Sequence, residues 1–151
     1  MEFIEWDGSL ALGVPEIDDD HEELVNCYNR LFESVYSSKA RSVVIAELKT
    51  LVNHTWSHFH CEEALMESVG YPELMSHKAA HELLLSAVLL LQNRLSSDPN
   101  QPIIGHRFSF LRSWMLNHMM EADRDLAEYI LKLRAIDHIY RPPDSQNLEA
   151  A

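Results

Sequence analysis

The sequence predicts an all-α protein, an antiparallel up-and-down four-helix bundle preceded by an N-terminal arm. Three observations carry this. Four long stretches place apolar residues at three- and four-residue steps, the period of an α-helix with one buried face. Short segments rich in Gly, Pro and Ser separate them. No stretch between turn signals alternates apolar and polar residues as a half-buried strand does. Long amphipathic helices with short connections pack as antiparallel neighbours.

Residues 1–16, "MEFIEWDGSLALGVPE", contain Gly8, Gly13 and Pro15 and read as an irregular arm, with Trp6, Leu10, Leu12 and Val14 available to pin it to the core. The first helix is predicted at about 18–37. Acidic residues crowd its first turn, where they favour a helix N-terminus, and Val25, Tyr28, Leu31, Phe32 and Val35 follow at helical steps. "SSKAR" makes a turn. The second helix is predicted at about 41–68, through Val44, Leu48, Leu51, Trp56, Phe59, Leu65 and Met66. Gly70 suits its C-terminal cap, and Pro72 suits the start of the next helix. The third helix, at about 72–95, ends in "LLLSAVLLLQNRL", apolar enough to predict deep burial. "SSDPNQP" is the longest connection, and the fourth helix is predicted at about 103–133. The domain is expected to occupy 1–136, with 137–151 a polar tail.

A chain of 151 residues suits one domain with a full-sized core. The start has neither the basic nor the apolar region of a signal peptide, and no wholly apolar run approaches the ~20 residues of a membrane span. A cytoplasmic location is the expectation. A net charge of −12 repels phosphate backbones and anionic lipid, so neither nucleic acid nor membrane is expected as a partner. Cys27 and Cys61 lie apart with no CxxC spacing, which predicts two reduced, half-buried thiols.

The anomaly is histidine. There are nine, seven of them between residues 54 and 118. Residues four apart on a helix lie ~40° apart, one turn above the other, so both can reach one metal site. The second helix carries His58 and Glu62, the third His77 and His81, the fourth His118 and Asp123. The first offers His21 behind three aspartates. One such pair is usually only a solvated helix face; a contribution from all four helices is not. His58 and Glu62 lie roughly 10–16 Å before the turn near residue 70, and His77 and His81 the same distance after it, so an antiparallel hairpin sets them level. Five imidazoles and two carboxylates exceed what one zinc ion takes. Two bridging carboxylates with histidines divided three and two suit two irons, one of which keeps an open position.

His118 and Asp123 are five apart, so bringing both to one centre requires a local widening of the helix such as a π turn. His60, His106 and His138 are expected on the surface, Glu63 toward solvent or a neighbouring helix. Cys61 is expected to be buried and unligated. His54 lies one turn from His58 on the ligand stripe. Spacing alone does not exclude it, but the complete set of seven leaves it as a core group or a neighbour of the ligands.

The stretches "GVPEIDDDHEEL", "HFHCEEALM", "GYPELMSHKAAH" and "WMLNHMMEAD" resemble, in order and over residues 6–133, the four motifs of the hemerythrins, particularly the bacterial ones. The resemblance implies that His77, His81 and His118 hold one iron and His21 and His58 the other. Glu62 and Asp123 would bridge them, together with an oxo or hydroxo group. It implies dioxygen as the ligand and reversible dioxygen binding, for storage, delivery or supply to an oxygen-using enzyme, as the function. An oxygen or redox sensor domain joined to a signalling module is the alternative, and a di-iron oxidase or peroxidase a further one. Enzymatic turnover is not the expectation, because carboxylate-rich oxidases use four glutamates and two histidines. Leu111, Trp114 and Met115 are expected to line the oxygen pocket. The chain departs from the family at His54, often tyrosine, at Met115, often leucine, and at Met119, often β-branched.

Overall fold

The computed structural model describes residues 3–140 in backbone and 3–137 in side chain. The helices are α1 (Pro15–Tyr36), α2 (Arg41–Ser68), α3 (Leu74–Ser97), α4 (Ser109–His118) and α5 (Arg124–Tyr140). A 3₁₀ turn, Gly105–Phe108, leads into α4, and a π-helical turn, Met119–Asp123, joins α4 to α5 as one rod. The result is a four-helix bundle, with no strand among the described residues.

Each boundary has a local cause. Pro15 opens α1 at the first helical turn, where its missing N–H costs nothing. The Asp18 carboxylate accepts hydrogen bonds from the Leu12 and Gly13 amides at 2.6 and 2.9 Å and turns the arm into the helix. Further out, the Asn29 side chain accepts from the Ile4 amide at 2.9 Å and donates to the Ile4 carbonyl at 2.7 Å. That clamp, with buried Ile4 and Val14, fixes the arm.

At the end of α2, Gly70 takes φ +63°. The Tyr71 amide then reaches back to the Met66 carbonyl at 3.0 Å, and Tyr71 packs in the same cluster as Met66. This is a Schellman ending with its hydrophobic contact. α3 begins at Leu74, two residues beyond Pro72, because residues 72–73 form a turn. Arg41, at the start of α2, donates to the carbonyls of Leu95, Asp98 and Gln101 and ties down the end of α3 and its loop.

Three expectations need correction. The apolar run of α3 is not deeply buried: Val88 and Leu95 are, but Leu83 and Leu90 are 74% and 50% exposed. A bundle helix buries one face, and this segment is apolar on both. By length and a mean hydropathy of 1.3, α3 could also cross a membrane, with 22% of that window buried. Trp56 lies outside the core, 52% exposed and stacked on His60 at 4.1 Å. The last helix continues to Tyr140, past the predicted end near 133. Residues 141–151, most of the expected tail, and the His138 side chain lie outside what is described.

The core is two clusters with a polar layer between them. One holds Leu24, Leu51, Val88, Leu111, Met115 and Met119; the other holds Ile17, Met66, Tyr71, Leu126 and Ile130. Each helix passes from one cluster to the other at its predicted ligands. α1 crosses at His21, α2 at His58 and Glu62, α3 at His77 and His81. The α4–α5 rod crosses at His118 and Asp123.

Candidate metal centre

All seven sequence-predicted ligand residues meet in that layer. His21 and Asp123 are wholly enclosed, His58, Glu62, His77 and His81 nearly so. The Glu62 carboxylate lies 3.3 Å from His77 Nε2, 3.2 Å from His81 Nε2 and 3.9 Å from His58 Nε2. The Asp123 carboxylate lies 3.1 Å from each of His21, His77 and His118 Nε2. The potential donor atoms form two groups, each within 4.8 Å throughout. One joins His77, His81 and His118, the other His21 and His58, and Glu62 and Asp123 belong to both.

The π turn makes the last pair possible. On a regular helix His118 and Asp123 would lie ~140° apart. In the i→i+5 turn of Met119–Asp123 the wider coil brings both to the same centre.

The polar atoms here are close without being mutually satisfied. His77 Nε2, His81 Nε2, His118 Nε2, both Glu62 oxygens and Asp123 Oδ1 are buried and have no hydrogen-bond partner. Buried polar atoms are nearly always paired, and each orphan is costly. They lie within 4.8 Å of one another in each group without being hydrogen-bonded, as atoms that share a cation do. The residues therefore fit metal ions. Imidazole and carboxylate together suit iron, zinc or manganese, and two adjoining groups with two shared carboxylates suit a pair of ions.

Protonation follows the same crowding. Burial alone would lower His77, but the Asp123 and Glu62 carboxylates beside it push it up to about 9. His58 is raised likewise, with burial opposed by Asp20, Glu62 and Asp123. Burial and the mutual repulsion of the two acids would raise Glu62, but His77 and His81 hold it below the ordinary carboxylate value. Burial would also raise Asp123, and His118, His21 and His77 hold it well below. Without metal, protons held on His77 and His58 offset the charge of the two carboxylates.

Outer contacts orient the rings. His81 Nδ1 lies 3.0 Å from Glu63, which also pairs with Lys78, and His58 Nδ1 lies 3.4 Å from Asp20. A carboxylate on the far ring nitrogen fixes tautomer and orientation and leaves Nε2 for a metal. Phe59 stacks flat on His81, 3.7 Å between centroids. The sequence offers only weak signals for these roles: Asp20 is adjacent to His21, and Glu63 to Glu62.

A small cavity abuts His58, His118 and Asp123, lined by Leu24, Thr55, Phe59, Trp114, Met115 and Met119. Of the three residues expected around an oxygen pocket, Trp114 and Met115 line this cavity. Leu111 is buried in the adjoining core and does not line the cavity. The Thr55 hydroxyl donates to the Leu51 carbonyl at 2.9 Å, so its proton is engaged.

His60 and His106 are exposed. His54 and Cys61 correct the expectation of burial: both are exposed, and Cys27 is fully buried. His54 lies one turn from His58, but on the solvent side of the α1–α2 seam.

Among known proteins, the hemerythrin HHE cation binding domain family matches residues 12–130. A bacteriohemerythrin of Stenotrophomonas maltophilia is 30% identical over 130 residues, 86% of this chain and 83% of that protein. One from Pseudomonas aeruginosa is 29% identical over 82% of this chain and 78% of its own length. A crystal structure of a hemerythrin with a leucine-to-alanine substitution superposes with a TM-score of 0.78 at 25% identity, covering 85% of this chain and 98% of that one.

Proposed function

The chain belongs to the hemerythrin family, and from that premise we propose that it binds dioxygen reversibly at a non-haem di-iron centre. The observation that carries the reading is the set of buried, unpartnered donor atoms beside a small cavity walled largely by apolar side chains. His77, His81 and His118 would hold one iron, His21 and His58 the other, and Glu62 and Asp123 would be shared. The iron pair supplies the electrons and the open position that dioxygen binding needs.

The chain's own residues do the rest. Five imidazoles and two carboxylates set this centre apart from the carboxylate-rich oxidase sites, which use four glutamates and two histidines. Glu63 and Asp20 hold His81 and His58 in position. Phe59, Trp114, Met115 and Met119 press close beside His58 and leave only a small space with largely apolar walls. With Thr55 committed to Leu51, the cavity lining beyond the candidate ligands His58, His118 and Asp123 offers no acid, lysine or free hydroxyl to protonate bound dioxygen. This supports a carrier over an oxidase or peroxidase.

The test is anaerobic reduction of the iron-loaded protein, then repeated cycles of air and vacuum, followed by visible absorption. Reversible binding gives a charge-transfer band that appears with oxygen and vanishes without it. Conversion to the diferric form in the first cycle would sink the carrier reading.

A further inference from the structure

Outside the centre, on the α1–α2 seam, a second group of metal-ligating atoms comes together. Glu23 and Cys27 are four apart on α1, and His54 stands opposite on α2. One carboxylate oxygen, the Cys27 thiol and one imidazole nitrogen all lie within 4.8 Å of one another. The Cys27 Sγ to Glu23 Oε1 distance is 3.6 Å. That is close to the roughly 3.5 Å edge between sulfur and oxygen in a tetrahedral zinc site. None of the three belongs to the di-iron ligand set.

We propose that Glu23, Cys27 and His54 form a separate mononuclear site for a borderline-soft divalent cation, zinc or ferrous iron, with the fourth position open to water. Thiolate, imidazole and carboxylate together select such ions over magnesium or calcium. Three protein ligands and one open position is the pattern of an exchangeable site. Burial differs usefully among them: Cys27 is enclosed, Glu23 half-buried and His54 exposed, so a cation enters from solvent past His54.

The site already attracts positive charge. The Arg30 guanidinium lies 3.1 Å from Cys27 Sγ and 3.4 Å from Glu23. It also pairs with Glu47 at 3.5 Å, a second anchor to which it withdraws when a cation arrives. On binding, the Cys27 S–H proton passes to solvent and the thiolate takes the metal. Burial, its largest influence, pushes the free thiol up to about 11, so each cation bound at neutral pH releases a proton. The proposal does not rest on iron in the bundle centre.

Cobaltous ion is the probe, added without oxygen to the iron-loaded chain and displaced by zinc. The candidate ligand set of the centre has no thiol, so thiolate-to-cobalt charge-transfer absorption reports on a cysteine rather than on the centre, and the two cysteines are told apart by substitution. One cobalt per chain with that band is expected, together with the release of a proton. Cys27→Ser abolishes the band, and Cys61→Ser leaves it intact. His54→Ala, a change on the surface that leaves the core whole, and Glu23→Gln weaken binding by at least the roughly 10–100-fold that loss of an outer partner costs. Absence of the band, its loss in Cys61→Ser, or full affinity in His54→Ala would each overturn the proposal.

Discussion

Raising the pH of the metal-free protein from 6.5 to 9 will destabilise it. His77 titrates at about 9 in the folded chain against an ordinary 6.5. A folded value above the unfolded one means stability fully present below 6.5 and lost as pH rises through about 9. His58 is raised too and acts in the same direction. The 2.5-unit difference for His77 sets a ceiling of about 3 kcal/mol, at about 1.36 kcal/mol per unit. Water reaching a metal-free centre screens the carboxylates, and half of that ceiling, about 1.5 kcal/mol, is the working figure. For a chain of this size the melting temperature then falls by roughly 3–6 °C. Cys27 does not interfere, because its thiol leaves the window clear until well above pH 9. The assay is calorimetry of chelator-treated protein at intervals across the window, beside the iron-loaded form. Iron takes the place of the histidine protons, so the loaded form should show no such decline. His77→Gln should flatten the metal-free curve. A metal-free melting temperature that is constant or rises from pH 6.5 to 9 would refute the view that protons stand in for metal.

Glu63→Gln keeps the shape of the outer contact but removes its charge; iron retention against a chelator should fall by roughly 10–100-fold with helix content unchanged, and unaltered retention would show that His81 needs no such partner. In the folded protein a thiol reagent should modify Cys61 quickly and Cys27 only after unfolding, as mass spectrometry of the labelled peptides will show. Gly70→Ala meets no neighbour but must hold φ +63°, at a cost of about 1 kcal/mol. The expected fall in melting temperature is roughly 2–4 °C, and an unchanged value would mean the helix end relaxes to another cap.

The bundle was legible because its signals are local. Helical spacing gives four stripes, and Gly70, Pro72 and the acids of the first turn punctuate them. That the candidate ligands share one layer was legible for the same reason, since a pair four apart fixes a face. The five-residue step from His118 to Asp123 even required the π turn found at Met119–Asp123. What was not legible depends on which side of a helix a neighbour covers. Trp56, Leu83 and Leu90 look like core residues, yet at least half of each stays exposed. His54 and Cys61 flank the ligand stripe closely enough that spacing could not settle their burial; the packing of α1 against α2 leaves both at the surface. Asp20 and Glu63 escaped notice because a role through another residue has no spacing of its own.

The π turn also constrains how this sequence can change. It amounts to one residue more than a regular coil would use between Met115 and Leu126. Deleting a residue there and returning to regular winding would leave the helix after it in register, because the wide turn already absorbs that residue. An insertion has no such outlet and would rotate everything after it by ~100°. Leu126, Ala127 and Ile130, all buried, would then swing out of the cluster they share with Ile17 and Met66 as Asp123 left the centre. A single-residue insertion between residues 118 and 124 therefore damages two unrelated requirements at once, whereas a deletion has a regular helix to fall back on. Comparison of gaps among relatives should find no insertion in that interval, while the loop at 98–104 varies.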